Sequence, residues 1–130
     1  MSAAGREQGV VVRRLDQDLI RRTKGFMDED EGLRLYDVAL EAAELAPCLE
    51  IGSYCGKSSL YLGAAVKEKG GVLFSIDHHR GSEEQQPGEE YFDPELLDPA
   101  SGRIDTFRFF RQTLEAAGLE DTVVPIVSSS

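Results

Sequence analysis

The stretch from Cys48 to Ser58 leaves this chain little choice of fold. Cys48-Leu49-Glu50-Ile51 reads as a short apolar strand and Gly52-Ser53-Tyr54-Cys55-Gly56 as a tight turn with a glycine at each end. Lys57 then opens a helix that runs to Lys69, with Leu60 and Ala64 buried, and is closed by Gly70-Gly71. Strand, turn and helix in that order begin a unit whose next strand pairs in parallel through a right-handed crossover. Val72-Leu73-Phe74-Ser75-Ile76 supplies that strand, with Asp77 at its end. A further helix follows, with Asp105 as N-cap, Phe107, Phe110 and Leu114 on one face and Gly118 as its stop. Thr122 to Val127 is the third strand. Three parallel strands in the order 3-2-1 form the N-terminal half of an α/β, Rossmann-like doubly wound sheet with flanking helices. Runs this short and apolar suit strands buried on both faces.

Ahead of the sheet, residues 1–14 read as a loose arm, followed by a short helical stretch with Leu15 and Leu19 on one side and arginines on the other. Asp28, Glu29, Asp30 and Glu31 open a helix in which Leu33, Tyr36, Leu40 and Ala43 recur at helical spacing, and Pro47 marks where it has ended. Carboxylates in a first turn suit the helix dipole, so this acidic run has a structural explanation and no catalytic role. The sheet domain is placed at residues 28–130, with 1–27 as arm and short helix. Residues 80–103 break the pattern with Gly81, Pro87, Gly88, Pro94, Pro99, Gly102 and seven acidic residues. A solvated lid is the expectation for so long a loop, with a short helix near Glu95–Leu97 inside it.

One domain accounts for 130 residues. Fourteen Lys and Arg against twenty-four Asp and Glu leave a formal charge of −10, a field that repels phosphate backbones and argues against nucleic acid as a partner. Six basic residues, Arg6, Arg13, Arg14, Arg21, Arg22 and Lys24, crowd the first 24 positions. A solvated helix face is the expectation for them, an anion-binding site the alternative. No run approaches the roughly 20 apolar residues of a membrane span. The N-terminus lacks an apolar stretch followed by a small-residue cleavage site. The setting is therefore expected to be cytoplasmic, with Cys48 and Cys55 as reduced thiols. No second Cys or His pair completes a metal site with them.

Three chemistries compete for the glycine turn. Gly56-Lys57-Ser58 suggests a phosphate-binding loop, but the glycine required five positions earlier is replaced by Ile51. A dinucleotide turn needs a glycine at 54, where Tyr54 would hinder backbone approach to a pyrophosphate. The third reading is a nucleoside site without a pyrophosphate. Asp77 lies 25 positions after Gly52, near the spacing of about 20 for a ribose-binding acid, and can accept from both ribose hydroxyls. In that reading Gly52 lets the chain turn off the strand and Gly56 lets backbone approach a ligand. Glu50 holds the turn, caps nearby backbone N–H groups, or attracts the cationic amino-acid end of a ligand. Ser58 and Ser59 open a helix with no placed His–acid pair, so no nucleophile stands out.

Glu50 to Ser58 followed by Phe74-Ser75-Ile76-Asp77 resembles the class I S-adenosylmethionine-dependent methyltransferases. The Gly-Ser-Tyr-Cys-Gly-Lys-Ser wording is similar to the catechol O-methyltransferase-like, small-molecule branch. The resemblance implies that Glu50, Gly52, Ser53 and Gly56 form the first cofactor motif, with Tyr54 and Ser58 beside the methionine portion. It implies Asp77 on the ribose hydroxyls, where that branch often has glutamate, His78 near the adenine, and Ser130 at the adenine edge. The activity implied is methyl transfer from S-adenosylmethionine to a small-molecule acceptor, with oxygen as the receiving atom. No general base is assigned. The family sheet has seven strands. A divalent metal and most of the substrate pocket would belong to the half beyond the third strand, and a fragment of a longer protein is expected. A different class of reading is a non-catalytic interaction module, with strand one an open edge through which a homo-oligomer forms. Asp77-His78-His79 is also similar to the triplet of the Asp-His-His phosphoesterases. No histidine precedes His78, however, and Asp28 and Asp30 open a helix, so the two-metal ligand set is incomplete.

Overall fold

The computed structural model describes residues 13–129. Three strands, β1 (Cys48–Ile51), β2 (Leu73–Asp77) and a terminal strand (Val123–Val127), form a parallel sheet in which β2 is central. This is the 3-2-1 order expected from the alternating pattern. The helices are α1 (Gln17–Arg22), α2 (Glu29–Ala42), α3 (Lys57–Glu68) and α4 (Phe107–Ala117). Two short 3-10 turns (Glu83–Gln85 and Pro94–Leu96) and a two-stranded antiparallel pair, β3 (Leu97–Asp98) with β4 (Arg103–Ile104), occupy the stretch between β2 and α4. The terminal strand is therefore β5.

Local chemistry explains the element ends. Asp16 caps α1 by accepting from the Leu19 N–H at 3.0 Å. Asp28 and Glu31 form a capping box at α2, so the acidic run has the structural role expected of it. Asp105 is not the α4 cap residue. Thr106 holds that position and Asp105 instead accepts from the Phe107 N–H at 3.0 Å, one step ahead of the expectation.

The core lies on one face of the sheet. Tyr36 and Ala39 from α2, Leu60, Tyr61, Ala65 and Val66 from α3, and Phe110 and Leu114 from α4 pack there with Leu73 and Val123. Leu19 and Ile20 of α1 join the same cluster, whereas Ala64 is only partly buried. Helices α2 and α3 approach so closely that a Cβ on Gly32 would sit 2.2 Å from the Tyr61 ring. The opposite face differs from expectation. Leu49, Phe74 and Val124 lie in one register row, and Ile51, Ile76 and Ile126 in another. Leu49 and Ile51 are 60% and 63% exposed. Sequence patterning that calls for two covered faces thus meets helices on only one among the described residues, and β1 pairs with β2 alone.

The basic N-terminal residues are in part the expected solvated face, with Arg14, Arg21 and Arg22 exposed, and in part committed to ion pairs. Arg13 forms a two-pronged pair with Asp37 at 3.0 and 2.8 Å. Arg14 meets Glu68 at 3.1 Å. Arg21 pairs with Asp18 within α1, and Lys24 with Asp93 and Glu95. Arg6 lies outside the described residues. No helix among the described residues is long and apolar enough to cross a membrane.

Candidate functional site

The C-terminal ends of β1 and β2 meet at the glycine turn, where open parallel sheets place their ligands. Beneath the turn lies Glu50, 7% exposed. Its Oε2 accepts from the Ser58 hydroxyl at 2.5 Å, and its Oε1 from Ser59 at 2.5 Å and Ser75 at 2.7 Å. One carboxylate thus ties β1 to the first turn of α3 and to β2. Among the alternatives for this residue, the structure favours holding the turn, and the donors are side-chain hydroxyls rather than backbone N–H groups.

Asp77 performs a second stapling from above. Its Oδ2 accepts from the Ser53 and Tyr54 N–H groups, each at 2.8 Å, and its Oδ1 from the His79 N–H at 2.8 Å. Burial pushes its pKa up, but the backbone bonds from His79, Tyr54 and Ser53 outweigh it and hold the carboxyl below its usual range. A carboxylate offers about four acceptor positions, so one, on Oδ1, stays open. His78 is exposed, and its Nδ1 accepts from the Arg80 N–H at 2.9 Å. His79 is buried, with Nδ1 2.7 Å from the Thr106 hydroxyl. The three residues of the Asp-His-His triplet therefore point to different tasks. No group of three or more His, Cys, Asp and Glu converges as a metal set among the described residues.

The two glycines do different work. At Gly52, with φ +86, a Cβ would meet nothing within 4 Å, so the turn is open toward solvent. At Gly56, with φ +98, a Cβ would press on Thr113 at 3.1 Å and Phe110 at 3.2 Å. The absence of a side chain at Gly56 thus lets α4 pack against the turn, while the approach of its backbone to a ligand stays part of the cofactor reading. Tyr54 carries φ +51 between them, a left-handed backbone that costs a non-glycine about 1–2 kcal/mol. Such strain collects at functional sites. Burial first, then Cys55 and Asp93, push the Tyr54 phenol up to about 12, so it stays protonated.

A cleft of about 310 Å³ opens over the turn, lined by Gly52, Ser53, Tyr54, Lys57 and Ser58 and roofed by residues 24–27 with Glu31. This is the lower end of the size of a small-molecule site. Ser53 is 2% exposed and its Oγ has no partner. Gly52 leaves space on this wall of the cleft, and the first N–H groups of α3 have no helical partner, the arrangement that suits a polar ligand. Ser130 lies outside the described residues. The roof was not legible in advance: Lys24 stood out only as one of several cations, and nothing marked Phe26 or Met27. Phe26, 69% exposed, stands 5.5 Å from the Tyr54 ring and 6.0 Å from Tyr91.

The 80–103 loop is solvent-exposed over most of its length, as expected, and is anchored at a few points. Leu96 and Ile104 bury against Cys55 in a small second core with Tyr54, Phe92 and Phe109 packed around it. Lys24 binds Asp93 at 2.6 Å and Glu95 at 2.5 Å, tying the loop to the roof segment. Both cysteines are free. Burial pushes the Cys55 thiol up to about 12 at 1% exposure, so it is inert. A thiol reagent at pH 8 is expected to titrate one cysteine, Cys48, in the native protein and the second only on unfolding. Rapid modification of both would contradict this packing.

Burial holds the His79 imidazole below its usual range, against the opposing pull of Asp77 and Asp105 and with His78 adding to the depression. The unfolded chain therefore takes up a proton near pH 6.5 that the folded state refuses. Stability is expected to be full above that pH and to fall below it by up to about 1.4 kcal/mol per unit, until the folded pKa is reached. Denaturant unfolding at pH 7.5, 6.5 and 5.5 reads the slope, which His79→Asn should remove.

Residues 49–130 match the family model described as methyltransferase domain. Two solved structures share the fold. Cofactor-bound Rv0187 from MTB aligns at 18% identity and a TM-score of 0.51, over 84% of this chain and 38% of its own. The O-methyltransferase TomG from Streptomyces achromogenes, involved in tomaymycin synthesis and solved in complex with SAM, aligns at 19% identity and a TM-score of 0.50, over 95% of this chain and 39% of its own. The chain thus spans less than two-fifths of either structure.

Proposed function

This chain belongs to the methyltransferase-domain family, and on that premise we propose that residues 28–130 bind S-adenosylmethionine in the cleft over the glycine turn, for methyl transfer to the oxygen of a small molecule. The observation that carries the reading is the pair of staples: Glu50 below and Asp77 above fix the turn, Gly52 leaves open space on it, and the Ser53 hydroxyl is buried there without a partner. In its assigned role Asp77 offers its remaining Oδ1 position to a ribose hydroxyl, with His78 beside the base. Ser53, Tyr54 and Ser58 face the amino-acid end, and Glu50 acts on it through Ser58. Ser130 is kept as an adenine-edge contact. The cofactor, when bound, supplies a methyl group already activated by its sulfonium. The protein's share is orientation and the exclusion of water by the 24–27 roof and the 80–103 loop that Lys24 ties to it. The acidic balance of the chain suits a cationic cofactor, a small-molecule acceptor and a cytoplasmic setting.

The bare sheet face favours a second reading, in which this chain is an interaction module and its open face and β1 edge meet another chain. Calorimetric titration with S-adenosylhomocysteine, with NAD and ATP as controls, separates the two. Micromolar binding of the first alone supports the cofactor site. A folded chain that binds none of the three overturns it and leaves the interaction module.

A further inference from the structure

The loop that leaves the sheet after β2 rejoins the fold at Thr106, and a single residue holds both ends. His79 is 1% exposed and adopts φ +64, a left-handed backbone that strains a bulky side chain. Its N–H donates to Asp77 Oδ1 at 2.8 Å, and its carbonyl accepts from the Thr106 N–H at 2.9 Å. Its Nδ1 lies 2.7 Å from the Thr106 Oγ. The ring rests against Phe107 and Phe110, with centroids 5.2 and 5.1 Å away, and its buried edge meets the Tyr54 backbone. The contacts run on without a break: Thr106 to His79, His79 to Asp77, and Asp77 to the Ser53 and Tyr54 amides on the other oxygen.

We propose that His79 is a positioning residue that clasps the base of the 80–105 loop and, through Asp77, sets the shape of the glycine turn, so that loop and cleft move as one unit. Its effect on affinity rests on the cofactor reading of that cleft; the clasp itself does not. Thr106 touches neither the turn nor the cleft, which makes it the place to cut. Thr106→Val removes the hydroxyl at nearly constant shape, and Thr106→Ser keeps it.

Amide hydrogen exchange on the full chain, followed by titration with S-adenosylhomocysteine, tests the coupling. Thr106→Val is expected to speed exchange at Ser53 and Tyr54 about tenfold and to weaken affinity about tenfold, the worth of one buried hydrogen bond passed along the chain of contacts. Thr106→Ser should stay within about twofold of the unaltered protein on both measures, since it retains the bond. In the unaltered protein, saturating S-adenosylhomocysteine should slow exchange at His79 and Thr106, neither of which lines the cleft. The proposal is overturned if Thr106→Val changes exchange only at His79 and Thr106, or if Thr106→Ser loses as much as Thr106→Val. Should Thr106→Val fail to fold, unchanged exchange at His79 and Thr106 on adding ligand overturns it instead. A protein that binds no S-adenosylhomocysteine refutes the cofactor reading, and exchange at Ser53 and Tyr54 in Thr106→Val then decides the clasp alone.

Discussion

Glu50→Ala is expected to lower the free energy of unfolding by about 3–5 kcal/mol, a large share of the whole for a domain of this size. The side chain accepts three hydroxyl hydrogen bonds, from Ser58, Ser59 and Ser75, in a place closed to water. Bonds to a charged acceptor are worth more than neutral ones, and truncation also leaves buried hydroxyls unpaired and a cavity beneath the turn. Glu50→Gln keeps the shape and an acceptor oxygen, and the hydroxyls can rotate to accept from its amide. Its loss should be nearer 1–2 kcal/mol. Urea unfolding measures both through the midpoint at constant slope. A Glu50→Ala protein within about 1 kcal/mol of the original would show that the carboxylate does not hold these elements together.

The strands and the turn were legible because each is written in consecutive residues. The apolar run Leu73–Ile76, the glycines at 52 and 56 and the acid at 77 carry their signals locally. What Glu50 does was not legible. Its partners come from two other elements, and only the crossover that lays β2 beside β1 brings Ser75 across from it. The same limit hid the second core. The Leu96-Leu97 pair and Ile104 stand in an acidic, proline-rich stretch with no period, and Leu96 and Ile104 bury because Cys55 and Tyr54 present a surface to them. A glycine says that a Cβ is unwelcome but not on which side, so the sequence does not show that Phe110 and Thr113 fill that place at Gly56. The sheet's bare face is the converse case. Leu49, Ile51, Val124 and Ile126 carry the pattern of a covered face, and local pattern reports what a residue is suited to, whatever chain surrounds it.

Asp77→Ala is expected to weaken S-adenosylhomocysteine binding by about 10- to 100-fold and to cost about 2–4 kcal/mol of stability, because one truncation removes the open Oδ1 and three backbone partners together. In this variant the released turn and the missing ligand contact both weaken binding, so a second variant is needed to divide them. Asp77→Asn separates the effects. Its amide oxygen can still accept from the Ser53 and Tyr54 N–H groups, while its NH2 meets the His79 N–H and any ribose hydroxyl as a donor instead of an acceptor. Stability should fall by about 1–2 kcal/mol, with affinity still reduced about tenfold. Acid supplies a third handle with a definite sign. The folded pKa lies below the unfolded value, so the contribution of Asp77 is complete above about pH 4 and is lost only as pH falls toward the folded value. At pH 7 the carboxylate is fully charged in both states, and a binding defect in Asp77→Asn there belongs to the contact itself. If Asp77→Asn binds S-adenosylhomocysteine as well as the original while losing stability, Asp77 is a staple for the turn alone, and the ribose contact must be sought elsewhere in the cleft.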